Sequence, residues 1–227
     1  MKVRVNKVVK MLVLAGAFGV ASAASAQSAG QWTAAIGANK VTPHVVSGDI
    51  SAPALPHSQG TIDSNTQPVL VVTYSFTDNI SLEGAIGTPY KHNIYGAGAI
   101  AATGKLGSAE VLPPTLFVQY RFFSPSSKLR PFVGFGPTYA RFQKATGSGQ
   151  ITALTNPGAG VPTTFKLDNK FTYSGQIGLQ GNYDERWFAS VAYIKTKLST
   201  DVHFSSGQEQ HMKLDPSSVM LTVGYRF

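Results

Sequence analysis

The chain contains no cysteine. An exported protein of this size does without disulfides when its sheet closes on itself or its core is large. Past residue 26 there is also no apolar run near the roughly 20 residues that a spanning helix needs. If the protein enters a membrane it does so as a barrel, because only helices and closed barrels satisfy their backbone groups in lipid. There is no H-E-x-x-H, no nucleophile elbow and no histidine pair at ligand spacing. A strong positive balance is missing too. The formal +8 includes Lys2, Arg4, Lys7 and Lys10; without them Lys+Arg falls from 19 to 15 against 11 Asp+Glu, a net +4. That is no footprint for nucleic acid.

Those four basic residues are followed by a short apolar stretch, Met11 to Val20, and by Ala24-Ser25-Ala26. A basic segment, a short apolar segment and a small-x-small site predict a cleaved signal peptide over residues 1–26, with Ala24 and Ala26 at the cleavage site. Residues 27–227 then form one domain.

The last stretch organises the rest. Val219, Leu221, Val223, Tyr225 and Phe227 alternate with Ser218, Met220, Thr222, Gly224 and Arg226. Successive strand residues point to opposite faces, so one face is large and apolar and the other small or polar. The same two-faced pattern predicts strands near 31–41, 68–76, 80–88, 114–123, 130–142, 171–182 and 187–198. Eight strands result. The connections after the second, fourth and sixth are short; those spanning 42–67, 89–112, 143–167 and 199–214 are long and read as polar, Gly-rich loops. Strict alternation of short turns and long loops is the asymmetry of an outer-membrane barrel. Tyr74/Phe76, Tyr120/Phe122, Tyr183/Trp187 and Tyr225/Phe227 all fall at the short-turn rim, where an aromatic girdle is expected. A secreted lipocalin also has eight strands, but it would point its apolar face inward. The fold class is therefore all-β: an eight-stranded antiparallel transmembrane β-barrel of the outer-membrane type.

Several segments carry a family resemblance. They are Thr73-Tyr74 through Phe76-Thr77-Asp78-Asn79-Ile80, Thr88-Pro89-Tyr90-Lys91-His92, Leu112-Pro113-Pro114 and Gln119-Tyr120. Arg130-Pro131-Phe132-Val133-Gly134 with Gly136, Asp215-Pro216 and Gly224-Tyr225-Arg226-Phe227 complete the set. In order and spacing the chain resembles the OmpW family of small outer-membrane barrels. Tyr90, where the family more usually has Phe, and the mid-strand Pro137 depart from that pattern. The resemblance implies a narrow hydrophobic channel associated with passage of small hydrophobic molecules across the outer membrane of a Gram-negative bacterium. Colicin reception, known for some members, is not carried over.

The inward residues divide by depth. Glu83, Arg121, Gln180, Asn182 and Arg226 lie close to short turns and are expected to meet as a polar plug at the periplasmic end. Charges in a narrow barrel are costly unless paired, so Glu83 is expected to pair with Arg121 or Arg226. Higher up, Ala85, Phe117, Ala140, Phe142, Ile194 and Leu198 offer the lining a hydrophobic solute needs. Pro137, Pro113 and Pro114 fall in adjacent strands four and five, where lost N–H groups could open a lateral gate. Tyr225 and Phe227 form the expected assembly signal read by the barrel-assembly machinery.

The resulting reading is a monomeric channel for passive uptake of small hydrophobic solutes, with lateral release into the membrane. Its surroundings are outer-membrane lipid and lipopolysaccharide; it uses no cofactor, no metal and no nucleic acid, and it is not an enzyme. Two rivals stay open: a structural, adhesion or phage/colicin-receptor barrel with a filled lumen, and a barrel enzyme acting on lipid or peptide at the outer rim. All five histidines, His44, His57, His92, His203 and His211, fall in the long segments, so a catalytic cluster would have to form there.

Overall fold

The computed structural model describes residues 28–54, 56–158 and 160–227; the expected signal peptide, with Ala24 and Ala26, lies outside them. In chain order the strands are β1 (Trp32–Thr42), β2 (Val46–Ser47), β3 (Ser58–Ile62), β4 (Asn65–Ser75) and β5 (Ile80–Gly87). Next come β6 (Tyr90–Gly98), β7 (Lys105–Leu112), β8 (Thr115–Arg121) and β9 (Leu129–Gly147). A short helix α1 (Gly149–Thr155) precedes β10 (Phe165–Leu167), β11 (Lys170–Asn182), β12 (Trp187–Lys197), β13 (Ser199–Phe204), β14 (Glu209–Lys213) and β15 (Ser217–Arg226).

Eight of these strands close on themselves. The hydrogen-bonded order is β11-β12-β15-β1-β4-β5-β8-β9, and β9 pairs back to β11. The seam joins the first strand to the last, from Thr33–Arg226 up to Thr42–Ser217. Inward and outward residues alternate as the pattern requires. On β15, Ser218, Met220, Thr222 and Arg226 are buried while Val219, Leu221 and Val223 are exposed. In water that exposed apolar face would be an aggregation hazard; against lipid it is the solvent-facing surface of the barrel. At the lower rim Trp32–Tyr74, Tyr74–Phe76, Tyr120–Phe122, Trp187–Tyr225 and Tyr225–Phe227 make ring contacts at 4.8–5.3 Å.

The long segments are not simply loops, and here the sequence expectation needs correcting. Strand takes up most of 89–112 and 199–214, while 42–67 and 143–167 hold shorter strand stretches, with a helix in the latter. β9 runs to Gly147 rather than ending near 142, and β6–β7 replaces the expected connection 89–112. β3–β4, β5–β6, β7–β8, β12–β13 and β14–β15 are each nearly continuous strands, interrupted by one to three residues. The upper strands build a polar-faced extension with its own core, including Ile94, Leu106, Phe165, Val202 and Met212. Their outward side chains are residues such as Lys91, Glu110 and Lys144. They need no lipid-facing apolar stripe, which is why they read as loops.

The interruptions fall at one level, the waist where barrel becomes extension. At most of them a side chain replaces the lost ladder bond. Asp63 accepts from Asn93 N and Asn93 Nδ2, both at 2.7 Å. Asn169 Oδ1 accepts from Phe142 N at 2.7 Å, and Asp215 Oδ1 from Leu198 N at 2.9 Å.

A candidate channel and its floor

At the periplasmic end the inward side chains form a continuous polar layer. Arg121 lies 3.9 Å from Glu83 and donates to Gln119 Oε1 at 2.7 Å and to Gln180 Oε1. Gln176 Nε2 donates to Glu83 Oε1 at 3.1 Å. Arg226 donates to Asn182 Oδ1 and to the carbonyls of Asp184 and Glu185, each of the latter at 3.2 Å. Gln180 Nε2 joins the two halves through Asn182 Oδ1 at 2.9 Å. All five expected plug residues are thus in one network, and Glu83 faces Arg121 rather than Arg226.

Sequence reasoning missed part of this floor. Arg130, fully buried, donates to the carbonyls of Asp78 at 2.6 Å and Phe122 at 3.3 Å, pinning two turns. Phe188 and Phe132 lie inside under the guanidiniums of Arg226 and Arg121, at 4.8 and 5.2 Å from ring to charge. Each ring sits directly across from a glycine: Phe188 opposite Gly224, Phe132 opposite Gly178. A Cβ at Gly224 would come 2.3 Å from Phe188 Cζ, and one at Gly178 would come 2.2 Å from Phe132 Cζ. An inward aromatic facing an inward glycine on the next strand is the signal that would have found this shelf.

Above the shelf lies a cavity of about 90 Å³ at the waist. Ala85, Phe117, Ala140, Ile194 and Leu198 line it, as do Met220 and Val69. Phe142, the sixth expected lining residue, lies higher and is half-buried against a second cavity of about 50 Å³. That one shares Val111, Leu198 and Pro216 with the waist, and a third, of about 20 Å³, shares Ile94 with it. Together they form a row of small, separate apolar cavities up through the extension. His92 borders the middle cavity. Its Nδ1 donates to Asp63 O at 2.7 Å; burial depresses its pKa below the ordinary imidazole range, although Asp63 works against that.

The cavity wall is incomplete on one side. Pairing of β5 with β8 stops at Ala85–Thr115, and pairing of β6 with β7 starts at Tyr90–Val111. Between them lie Pro89 and Pro113. Arg121 N donates to Asn79 O, so odd residues of β8 direct their N–H towards β5; Thr88 N donates to Pro68 O, so even residues there face β4 and odd ones face β8. The N–H groups that Pro89 and Pro113 lack would therefore both have pointed into this gap. Ile86, on the outer face and half-exposed, lines the cavity together with Gly87 and Pro113.

Pro114 and Pro137 fall on the other edge of β8. Tyr139 N donates to Pro114 O at 3.1 Å, so the N–H missing at Pro137 would have faced β8. The β8–β9 ladder holds at Thr115–Thr138 and resumes at Val118–Phe135, skipping Leu116 and Phe117. Pro137 is exposed on the outer face and does not touch the cavity. Of the three expected gate prolines, only Pro113 borders it.

The histidines all lie at or above the waist. His211 Nδ1 faces Asp201 Oδ1 at 2.6 Å, and His203 lies 3.1 Å from Glu209 and 3.5 Å from Asp168, as cross-strand pairs on the outer face. The Asp201 carboxyl is held below the usual range by its bond to His211 and then by Lys170. His57 lies 3.8 Å from Asp49, and His44 Nε2 is 2.7 Å from Ser217 Oγ. At the C-terminal strand Phe227 N donates to Trp32 O at 3.0 Å, and Tyr225 Oη accepts from Arg186 at 2.8 Å.

Comparison with known proteins agrees with this architecture. The model of the OmpW family matches residues 28–227. Outer membrane protein W of Vibrio cholerae is 30% identical over 176 residues, 75% of this chain and 77% of that protein. Outer membrane protein AlkL of Ectopseudomonas oleovorans is 26% identical over 205 residues, 87% of this chain and 83% of that one. The crystal structure of the outer membrane protein OprG from Pseudomonas aeruginosa superposes with a TM-score of 0.78 at 26% identity, covering 88% of this chain and 97% of that one.

Proposed function

The chain belongs to the OmpW family and is an outer-membrane β-barrel of a Gram-negative bacterium, and from that premise we propose that it admits small hydrophobic molecules by passive diffusion and releases them sideways into the membrane. One observation carries the proposal: an apolar cavity at the waist has a floor of paired charges below it and a gap in its wall beside it. A hydrophobic solute gains nothing by leaving through a polar floor into water. Moving sideways into lipid keeps its apolar surface out of water. The exit lies on the β5 edge of β8, at Pro89 and Pro113, because the cavity reaches Ile86 there; the β8–β9 edge at Pro114 and Pro137 is the lesser candidate. In this reading the barrel works as a monomer among outer-membrane lipid and lipopolysaccharide. The strand ending in Tyr225 and Phe227 is what the assembly machinery engages.

One contact bears on a catalytic alternative. His44 and Ser217 form a hydroxyl–imidazole pair beside the cavity. Nucleophilic catalysis needs the base oriented by a third group. Among the described residues no carboxylate bonds His44 behind this pair, so the pair is read as an ordinary hydrogen bond and catalysis is not part of the proposal. The test is uptake of a hydrophobic fluorescent tracer by cells with and without the protein. Faster entry with the barrel is expected. Equal rates at verified barrel abundance would favour the structural or receptor reading.

A further inference from the structure

The waist cavity is uncharged but carries one unspent polar pair. Asn39, inward on β1, donates from Nδ2 to the hydroxyl of Tyr90 at 2.9 Å, and both line the cavity. Tyr90 is buried, and Asn39 Oδ1, shut off from solvent, has no partner. Turning the amide over changes which end is open and not that one end is. The Tyr90 oxygen accepts one bond and keeps its own proton to give. Of the other cavity hydroxyls, Thr115, Thr138 and Thr196 are tied into one chain through Ser174, with Thr115 to Thr138 at 3.0 Å, Thr138 to Ser174 at 2.6 Å and Ser174 to Thr196 at 2.7 Å, and Ser217 is bonded to His44 at 2.7 Å. Among the buried polar atoms without a partner, Asn39 Oδ1 is the one whose residue borders this cavity. A buried polar atom left unpaired is a standing penalty that a suitable ligand atom removes.

Resting on the channel reading above, we infer that Asn39 and Tyr90 form a polar station that selects neutral solutes bearing a single hydroxyl over hydrocarbons of the same size. The ligand O–H donates to Asn39 Oδ1, and its oxygen accepts from the Tyr90 O–H. No charged side chain lines the cavity among the described residues, so carboxylates and amines find no counter-charge and are disfavoured. At roughly 10–15 Å³ per water-sized group, the volume of about 90 Å³ suits a molecule the size of phenol.

Phenol and toluene have the same number of non-hydrogen atoms and make the discriminating pair. The mature barrel in lipid nanodiscs is titrated with each, and half-saturation is read from the amide NMR shifts of Ala140 and Thr138. Taking each solute's ratio between parent and variant cancels its partition into lipid. The expected result is that the preference for phenol over toluene falls about five- to tenfold in Asn39→Leu, consistent with loss of one buried hydrogen bond. Tyr90→Phe, which removes only the hydroxyl, gives the same direction should Asn39→Leu not migrate as a folded barrel on an unheated gel. An unchanged preference in both variants overturns the station and leaves the channel standing. Shifts from neither solute overturn the channel reading, and the station with it.

Discussion

The waist cavity has two boundaries that a solute could cross, and they are built in opposite ways. The floor ties Glu83, Arg121, Gln180, Asn182 and Arg226 into one network and rests two guanidiniums on aromatic rings that glycines make room for. The wall between β5 and β8 has Pro89 on one strand and Pro113 on the other, where each would otherwise direct an N–H across the gap to a carbonyl. The lesson is local. A barrel is closed where inward polar groups find one another, and weak where the backbone lacks the groups to bond across a seam. The other interruptions at the waist sharpen the contrast, because Asp63, Asn169 and Asp215 supply side-chain acceptors there.

The largest expected effect breaks the floor. Arg121→Met leaves Glu83 buried without its cation and is expected to cost about 3–5 kcal/mol. Glu83→Leu with Arg121→Met removes both charges and costs less. Urea unfolding of the refolded barrel, read by gel mobility, checks this. A double-mutant cycle with no coupling would show that the 3.9 Å pair is incidental. Next comes the aromatic shelf. Gly224→Val places a side chain on Phe188 and is expected to cost about 1–3 kcal/mol by overpacking, whereas Gly149→Ala changes a glycine whose surroundings are open and whose backbone is not left-handed.

The wall works in the other direction. Restoring the N–H groups with Pro89→Val and Pro113→Val is expected to stabilise the barrel by about 0.5–1.5 kcal/mol for each ladder bond regained, while slowing uptake. The smallest effect is a pH response of the knitted side. The Asp215 carboxyl lies below its ordinary value: burial pushes it up, but the Leu198 N–H and then Lys213 and Lys195 outweigh that. Its contribution is present above the unfolded value of about 3.9 and is lost as pH falls through the lower folded one. Protection of the Leu198 amide, taken relative to its intrinsic exchange rate at each pH, should therefore fall below about pH 4, with no matching fall for amides beside the proline gap.

Much of the barrel is legible in the sequence because lipid enforces a strict two-residue period on the outer face and an aromatic rim at the turns. The plug is legible for the same reason, since parity and distance from a turn place Glu83 and Arg121 together. The extension is not. Its strands face water outside, so Gly, Ala and charged residues are tolerated and the alternation fades. The aromatic shelf was hidden because Phe132 and Phe188 reverse the small-inside pattern, and only pairing across strands reveals the glycines that admit them. The side on which the wall opens depends on which edge each proline faces: Thr115, Phe117, Thr138 and Ala140 of the β8–β9 seam line the cavity, but Pro137 itself faces away from it, whereas Pro113 borders it.

The central claim is that hydrophobic solutes leave through the wall. Its most direct test is the initial rate at which a hydrophobic tracer reaches the membrane of cells producing the Pro89→Val/Pro113→Val barrel, compared with the parent at equal folded abundance. A sharp fall, with the Glu83→Leu/Arg121→Met barrel keeping its rate, is the result this account predicts. An unchanged rate in the wall variant, or faster entry only when the floor is opened, would contradict it.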